Sequence, residues 1–297
     1  MKLYKHTLIL SFAIVCILAL FVNISNTSIR PIAGPYLVTA PYLPEKLSLA
    51  GEAVPMSDPE VYERMDRELV SNTYFHSQTI INFKRAQKYF GIIEGILKKE
   101  GVPDDFKYLC VIESNLSNVV SPSGAAGFWQ FLSGTAKGYG LEVNNEIDDR
   151  YHLEKSTLAA CKYLREAKGR FGTWTLAAAS YNMGQSGLSN RISNQAEQTY
   201  YDLLLYEETQ RYVFRILAVK SIFENPERYG FYILPQEKYT MPAFTTVSVN
   251  TKVNSWIDFA KEKNITYKDL KYLNPWIRDT SLRNKDGNTY EVKILRK

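Results

Sequence analysis

Between Pro59 and about Asn225, apolar residues recur at helical spacing almost without interruption. No alternating strand pattern of any length breaks the run. A stretch of that length and period calls for helix-on-helix packing and excludes a sheet-based architecture. Leu153 to Phe171, Thr173 to Asn182 and Glu207 to Glu224 read as separate helices. Pro103-Asp104-Asp105 opens another, with Pro in the first turn and acids that complement the helix dipole. Upstream, residues 29–58 hold Pro31, Pro35, Pro41, Pro44 and Pro55, the composition of a linker. A second linker falls around Pro226 to Pro242. Beyond it the pattern changes: a β-branched alternating stretch (Thr245 to Val249), helical stretches (Val253 to Lys263, Tyr267 to Leu273) and a strand (Tyr290 to Leu295). The expected organisation is an N-terminal segment (1–28), a Pro-rich linker (29–58), a helical domain (59–235) and a separate βααβ module (243–297). The fold class is mainly α with a small α+β module.

The chain's 297 residues carry a net charge of +5, and the last 53 hold 11 basic against 6 acidic residues, so this segment alone accounts for the balance. That mild excess suits an anionic polymer or surface and falls short of a nucleic-acid footprint. Zinc-finger spacing and a Walker loop are both lacking. Lys2 and Lys5 precede an apolar run from Leu8 to Val22, the form of a secretory signal or a signal anchor. Export to the periplasm or cell envelope follows, with a membrane tether if the segment is retained. Cys110 and Cys161 sit among apolar neighbours and read as buried thiols, with a bridge between them left open.

The helix after Asp105 ends at Glu113-Ser114-Asn115. Phe106, Leu109, Cys110 and Glu113 share one face, and Tyr108, Val111 and Ile112 make the other faces apolar as well. A carboxyl on such a stripe is desolvated and can hold a proton to donate. The plainer alternative is a structural ion pair. Two further segments follow. Ser121-Pro-Ser-Gly-Ala-Ala-Gly-Phe-Trp-Gln-Phe131 combines a glycine-containing turn with an expected helix from Phe128 to Ala136. Ala177-Ala-Ala-Ser-Tyr-Asn-Met-Gly184 is a small-residue helix ending at Tyr181-Asn182, residues suited to a sugar face and an acetamido group but also ordinary at a helix end.

These segments, followed by Glu208-Thr-Gln-Arg-Tyr-Val-Phe-Arg-Ile-Leu-Ala218, occur in the order seen in lytic murein transglycosylases, and the chain resembles their membrane-bound type D group over roughly residues 89–229. The resemblance implies a lysozyme-like all-helical catalytic domain that cleaves the β-1,4 bond between N-acetylmuramic acid and N-acetylglucosamine. It gives Glu113 the acid/base role and places Ser123, Gln130, Tyr181, Asn182 and Tyr212 at or near sugar-contacting positions. Leu132-Ser133 stands where Met-Pro is usual, and Phe214 where Pro is common. The C-terminal module resembles a degenerate LysM module, with Asn250-Thr-Lys-Val253 in place of the usual Gly-Asp-Thr-Leu. Trp256, Tyr272 and Trp276 are its candidate stacking groups, and module core is the plainer role for them.

No second acid stands in the first three motifs beside Glu113, and Glu142, Glu146, Asp148 and Asp149 read as a solvated loop. One carboxyl then has to serve twice, and the resemblance implies a 1,6-anhydromuramoyl end as the product. No cofactor or metal is expected, because His6, His76 and His152 do not form a zinc-ligand spacing. The partner is the peptidoglycan glycan strand, with no nucleic acid. Competing readings are a lysozyme-like hydrolase on the same fold and a catalytically silent peptidoglycan-binding protein.

Overall fold

The computed structural model describes residues 38–296, so the leader reading of the N-terminal segment lies outside the described residues. From Ala40 onward the chain forms one contact unit. It begins with a short antiparallel ribbon, β1 (Ser48–Leu49) and β2 (Glu52–Ala53). The helices follow: α1 (Pro59–Tyr74), α2 (His76–Lys99), α3 (Phe106–Ser114), α4 (Ser133–Gly138), α5 (Leu153–Phe171), α6 (Trp174–Met183), α7 (Gln185–Gln195) and α8 (Glu207–Glu224). The C-terminal elements are β3 (Phe244–Val249), α9 (Trp256–Glu262), α10 (Tyr267–Leu273) and β4 (Tyr290–Leu295). Among the described residues, none of the helices is long and apolar enough to cross a membrane.

Helix α8 is the axis of the helical domain. Tyr212, Val213, Phe214, Ile216, Leu217 and Ala218 are all buried, and α1, α3 and α6 pack against it. A helix apolar on nearly every side must lie at the centre of a bundle. Ala177, Ala178 and Ala179 let α6 fit between α5 and α8. Local chemistry sets the helix ends. Asp58 caps α1 through Glu60 N–H, and Gly172, at φ 80°, turns the chain out of α5.

The described part of the 29–58 segment is more than a linker. Leu49 is completely buried in the helical core and Val54 nearly so, a burial of about 1.5–3 kcal/mol for a Leu. Glu52 caps the start of α6, accepting from Trp174 N (2.7 Å) and from Thr175 N and Oγ1 (2.8 Å each). Lys220 donates to Ser48 O at 2.9 Å. Between Pro44 and Pro55 the segment forms the short β1–β2 ribbon and docks on the helices. The expected second linker is likewise laid on the domain, with Tyr229 and Phe231 in the core.

The C-terminal module has the expected element order, with β3 and β4 antiparallel in the register Phe244↔Leu295 to Val249↔Tyr290. The buried Asn274 stitches it together: Nδ2 donates to Leu270 O and Lys293 O, and Oδ1 accepts from Lys293 N. Trp256 and Trp276 are core side chains, whereas Tyr272 is 58% exposed and accepts from Lys88 Nζ at 2.6 Å. The module is not separate. Its apolar cluster includes Ala126, Ile147 and Tyr151 of the helical domain.

The acids expected in a solvated loop form that seam. Glu146, Asp148 and Asp149 are buried, each with a partner: Arg283, Arg150 and Lys155 respectively. Arg150 and Lys155 come from the same segment, and Arg283 is supplied by the module across the seam. Cys110 and Cys161 are free and buried.

Candidate active site

Glu113 occupies the last turn of α3. Asn115 and Leu116, at φ 52° and 53°, end the helix immediately after it. The side chain reaches a cleft of about 400 Å³ whose walls include Ser123, Gln130, Tyr181, Asn182 and Glu208. Burial pushes its carboxyl up to about 7 from an ordinary 4.5; the hydrogen bond from Tyr212 Oη and the charge of Arg215 pull it down, and the charge of Glu208 adds to the rise. Tyr212, Tyr181 and Cys110, pushed well up mainly by burial, stay protonated around it. A carboxyl poised there exchanges a proton in either direction near neutral pH.

The loop from Val119 to Phe131 forms one wall. Ser121 N donates to Ala125 O (2.8 Å) and Ala125 N to Ser121 Oγ (3.0 Å), closing a tight turn that presents Ser123. Gly127, at φ 80°, lies so close to Arg150 that an added Cβ would stand 1.8 Å from the Arg150 carbonyl oxygen. The expected helix from Phe128 to Ala136 does not form. Gln130 takes a left-handed φ of 49°, Ala126 bridges Phe131, and helix begins only at Ser133. Gln130 Nε2 donates to Val119 O (3.0 Å) and Gly127 O (2.8 Å), so both amide hydrogens are committed and only its carbonyl oxygen is left to face a ligand, as an acceptor. Trp129 is fully buried and donates to Thr157 Oγ1 at 2.9 Å.

The opposite wall is the end of α6. Tyr181 donates to Trp129 O at 2.8 Å, tying the two walls together. Asn182 is clamped by the first turn of α8, donating to Glu208 Oε1 (3.0 Å) and accepting from Thr209 Oγ1 (2.6 Å). That clamp leaves one amide hydrogen of Asn182 uncommitted.

Glu113, Ser123, Gln130, Tyr181 and Asn182 thus line one cleft, whereas Tyr212 is 2% exposed and stands behind it. The structure places Tyr212, expected at or near a sugar-contacting position, behind the cleft wall with its hydroxyl donated to Glu113. Sequence reasoning singled out neither Glu208 nor Arg215. Glu208 is a second carboxylate on the cleft, brought there by the packing of α8 against α6 and not by proximity in sequence. It also lines a neighbouring cleft of about 480 Å³ together with Arg211 and Arg215. His76 and His152 lie apart, ringed by Tyr74 and Phe231 and by Trp276 respectively.

A helical bundle with a half-buried glutamate at a helix end over a cleft, and a βααβ module behind it, defines a recognisable pair of domains. Residues 91–204 match the transglycosylase SLT domain, and residues 245–297 match the soluble lytic transglycosylase C-terminal LysM-like domain. The chain carries an SLT domain, which is lysozyme-like, followed by a LysM-like domain. It is 29% identical over 241 residues to membrane-bound lytic murein transglycosylase D of Escherichia coli (strain K12), an alignment covering 78% of this chain and 52% of that protein. The protein of the same name from Escherichia coli O6:H1 aligns with the same identity and coverage. The chain therefore spans about half the length of the curated relatives it matches.

Proposed function

We propose that the chain is a peptidoglycan lytic transglycosylase with Glu113 as its single acid/base. The observation that carries this reading is a glutamic acid held at about 7 on the wall of an open cleft. Protonated Glu113 donates to the glycosidic oxygen, and the N-acetylglucosamine side leaves as an alcohol. The 2-acetamido carbonyl of the muramic residue supports the positive charge at its anomeric carbon. Glu113, now a carboxylate, takes the proton of the same sugar's 6-hydroxyl as that oxygen bonds to the anomeric carbon. One proton is given and one regained, no water is consumed, and the product is a 1,6-anhydromuramoyl end. Intramolecular attack gains from the proximity of the 6-hydroxyl.

Tyr212 holds the carboxylate form of Glu113 in place. Asn182 offers its remaining N–H, and Gln130 its carbonyl oxygen, to the sugar's acetamido groups. Ser123 and the face of Tyr181 complete the contact surface. The residue range 59–235 serves as the catalytic domain and 243–297 as the module. The relatives' printed name says membrane-bound, which agrees with an envelope location and a tether through the N-terminal apolar segment.

A lysozyme-like hydrolysis is the second reading, favoured by Glu208, a carboxylate on the same cleft. The variant Glu113→Gln tests the assignment. It should bind insoluble peptidoglycan and release nothing, whereas an active Gln variant would refute it.

A further inference from the structure

We infer that the LysM-like module is a buttress of the catalytic cleft, fixing through Arg150 the turn that carries Ser123 and Gln130. The inference rests on the reading of that cleft as the catalytic one. Three layers of contact carry it.

The outer layer is the seam. Asp148 N donates to Trp276 O (2.9 Å) and Arg278 N to Glu146 O (2.8 Å). Arg283 N donates to Glu146 Oε2 at 2.9 Å and its guanidinium pairs with the same carboxylate, which these bonds hold below the usual range. Tyr290 Oη donates to Glu142 Oε2 at 3.0 Å, and Lys293 pairs with Glu154. Ile147 and Tyr151 lie in the module's own core. Residues 142–154 are thereby part of both bodies.

The middle layer is Arg150, whose side chain is 12% exposed. Its Nε and Nη2 grip the carboxylate of Asp148, the residue whose backbone is bonded to Trp276. The remaining face of the guanidinium points the other way. Nη1 donates to Gly124 O (2.9 Å) and Phe131 O (3.1 Å), bracing both arms of the active-site turn. The planar fork of Arg makes this possible, and a Lys ammonium cannot span the same acceptors in fixed geometry.

The inner layer is the turn itself. Ala126 belongs to the module's apolar cluster, while its neighbour Ala125 lines the cleft. Gly127 packs against the Arg150 carbonyl with no room for a side chain. A shift of the module is therefore transmitted to the wall that carries Ser123 and Gln130. Misplacement by a fraction of an ångström in a positioning wall lowers turnover without removing any group from the substrate.

Two variants of the full chain test this. Arg150→Lys keeps a cation beside Asp148 but loses the brace. Arg283→Met acts at the outer edge of the seam, where the side chain is 66% exposed, and circular dichroism checks that both variants are folded. Amide hydrogen exchange at Ala125, Ala126 and Gly127 should accelerate about tenfold or more in both. On soluble glycan chains kcat should fall on the order of 10–100-fold with KM nearly unchanged, while pelleting on peptidoglycan persists. Arg283→Lys should restore both readouts. Unchanged exchange and kcat in the folded variants would overturn the inference, as would a loss confined to pelleting, which would make the module a glycan-binding arm only. If the wild type cleaves nothing, the catalytic reading fails, and hydrogen exchange alone still decides the brace.

Discussion

Replacing Glu113 by Gln should abolish turnover and at the same time stabilise the protein, by an amount that depends on pH in a defined direction. The carboxyl titrates near 7 in the folded chain against an ordinary 4.5. At 1.36 kcal/mol per pH unit the difference is about 3 kcal/mol. The sign follows from linkage. Folding favours the protonated form, so the native state is not penalised below about 4.5, and the penalty grows as pH rises towards 7 and then levels off. Part of the Glu113 side chain meets solvent in the cleft, which makes about 3 kcal/mol an upper value. The variant cannot ionise and carries no such penalty, and its amide oxygen can still accept from Tyr212. Urea unfolding of both proteins at pH 4 and pH 8 measures the gap. It should widen in favour of Glu113→Gln by about 2–3 kcal/mol between the two, or about 3–6 °C in melting temperature for a chain of this size. A gap that stays constant across that range would mean that Glu113 titrates as an ordinary surface carboxylate, and the physical basis for its acid role would be lost.

Tyr212→Phe removes the hydrogen bond that favours the Glu113 carboxylate, so the alkaline limb of the pH–rate profile should move to higher pH, read by initial rates between pH 5 and 9. Asn182→Ala deletes an amide already held by Glu208 and Thr209; KM should rise about 10–100-fold while the pH limbs stay in place, checked by steady-state kinetics on soluble glycan chains. Gly127→Ala drives a methyl into the Arg150 carbonyl at a φ of 80°, and should cost about 3 kcal/mol or more, measured by denaturant unfolding.

The helices were legible because their apolar periodicity and caps are local. The spans Leu153–Phe171 and Glu207–Glu224 and the second strand, Tyr290–Leu295, fall where the pattern placed them. Glu113 stood out because it ends a mostly apolar helix, but that placement alone also fits a structural ion pair, and the order of the motifs around it is what singled it out. What the pattern could not give was set by contacts distant in sequence. The acids at Glu146 and Asp148 resemble a surface loop until Arg283 and the backbone of Trp276, more than a hundred residues later, meet them. Leu49 sits in a proline-rich strap whose composition argues for solvent, yet Leu49 and Val54 pin it in the core. The resemblance set Tyr212 at or near a sugar-contacting position, but its hydrogen bond to Glu113 depends on how α8 packs and is not written in the motif. Gln130 defied its helical neighbours because Gly127 and the brace from Arg150 impose a turn.

The central claim is that Glu113 alone carries out both proton transfers and delivers the anomeric carbon to the sugar's own 6-hydroxyl. Mass spectrometry of muropeptides released from purified peptidoglycan, with and without borohydride, tests it most directly. The wild type should release products one water lighter than hydrolysed ends and resistant to reduction, and Glu113→Gln none. Hydrated, reducible ends, or anhydro products from the Gln variant, would contradict it.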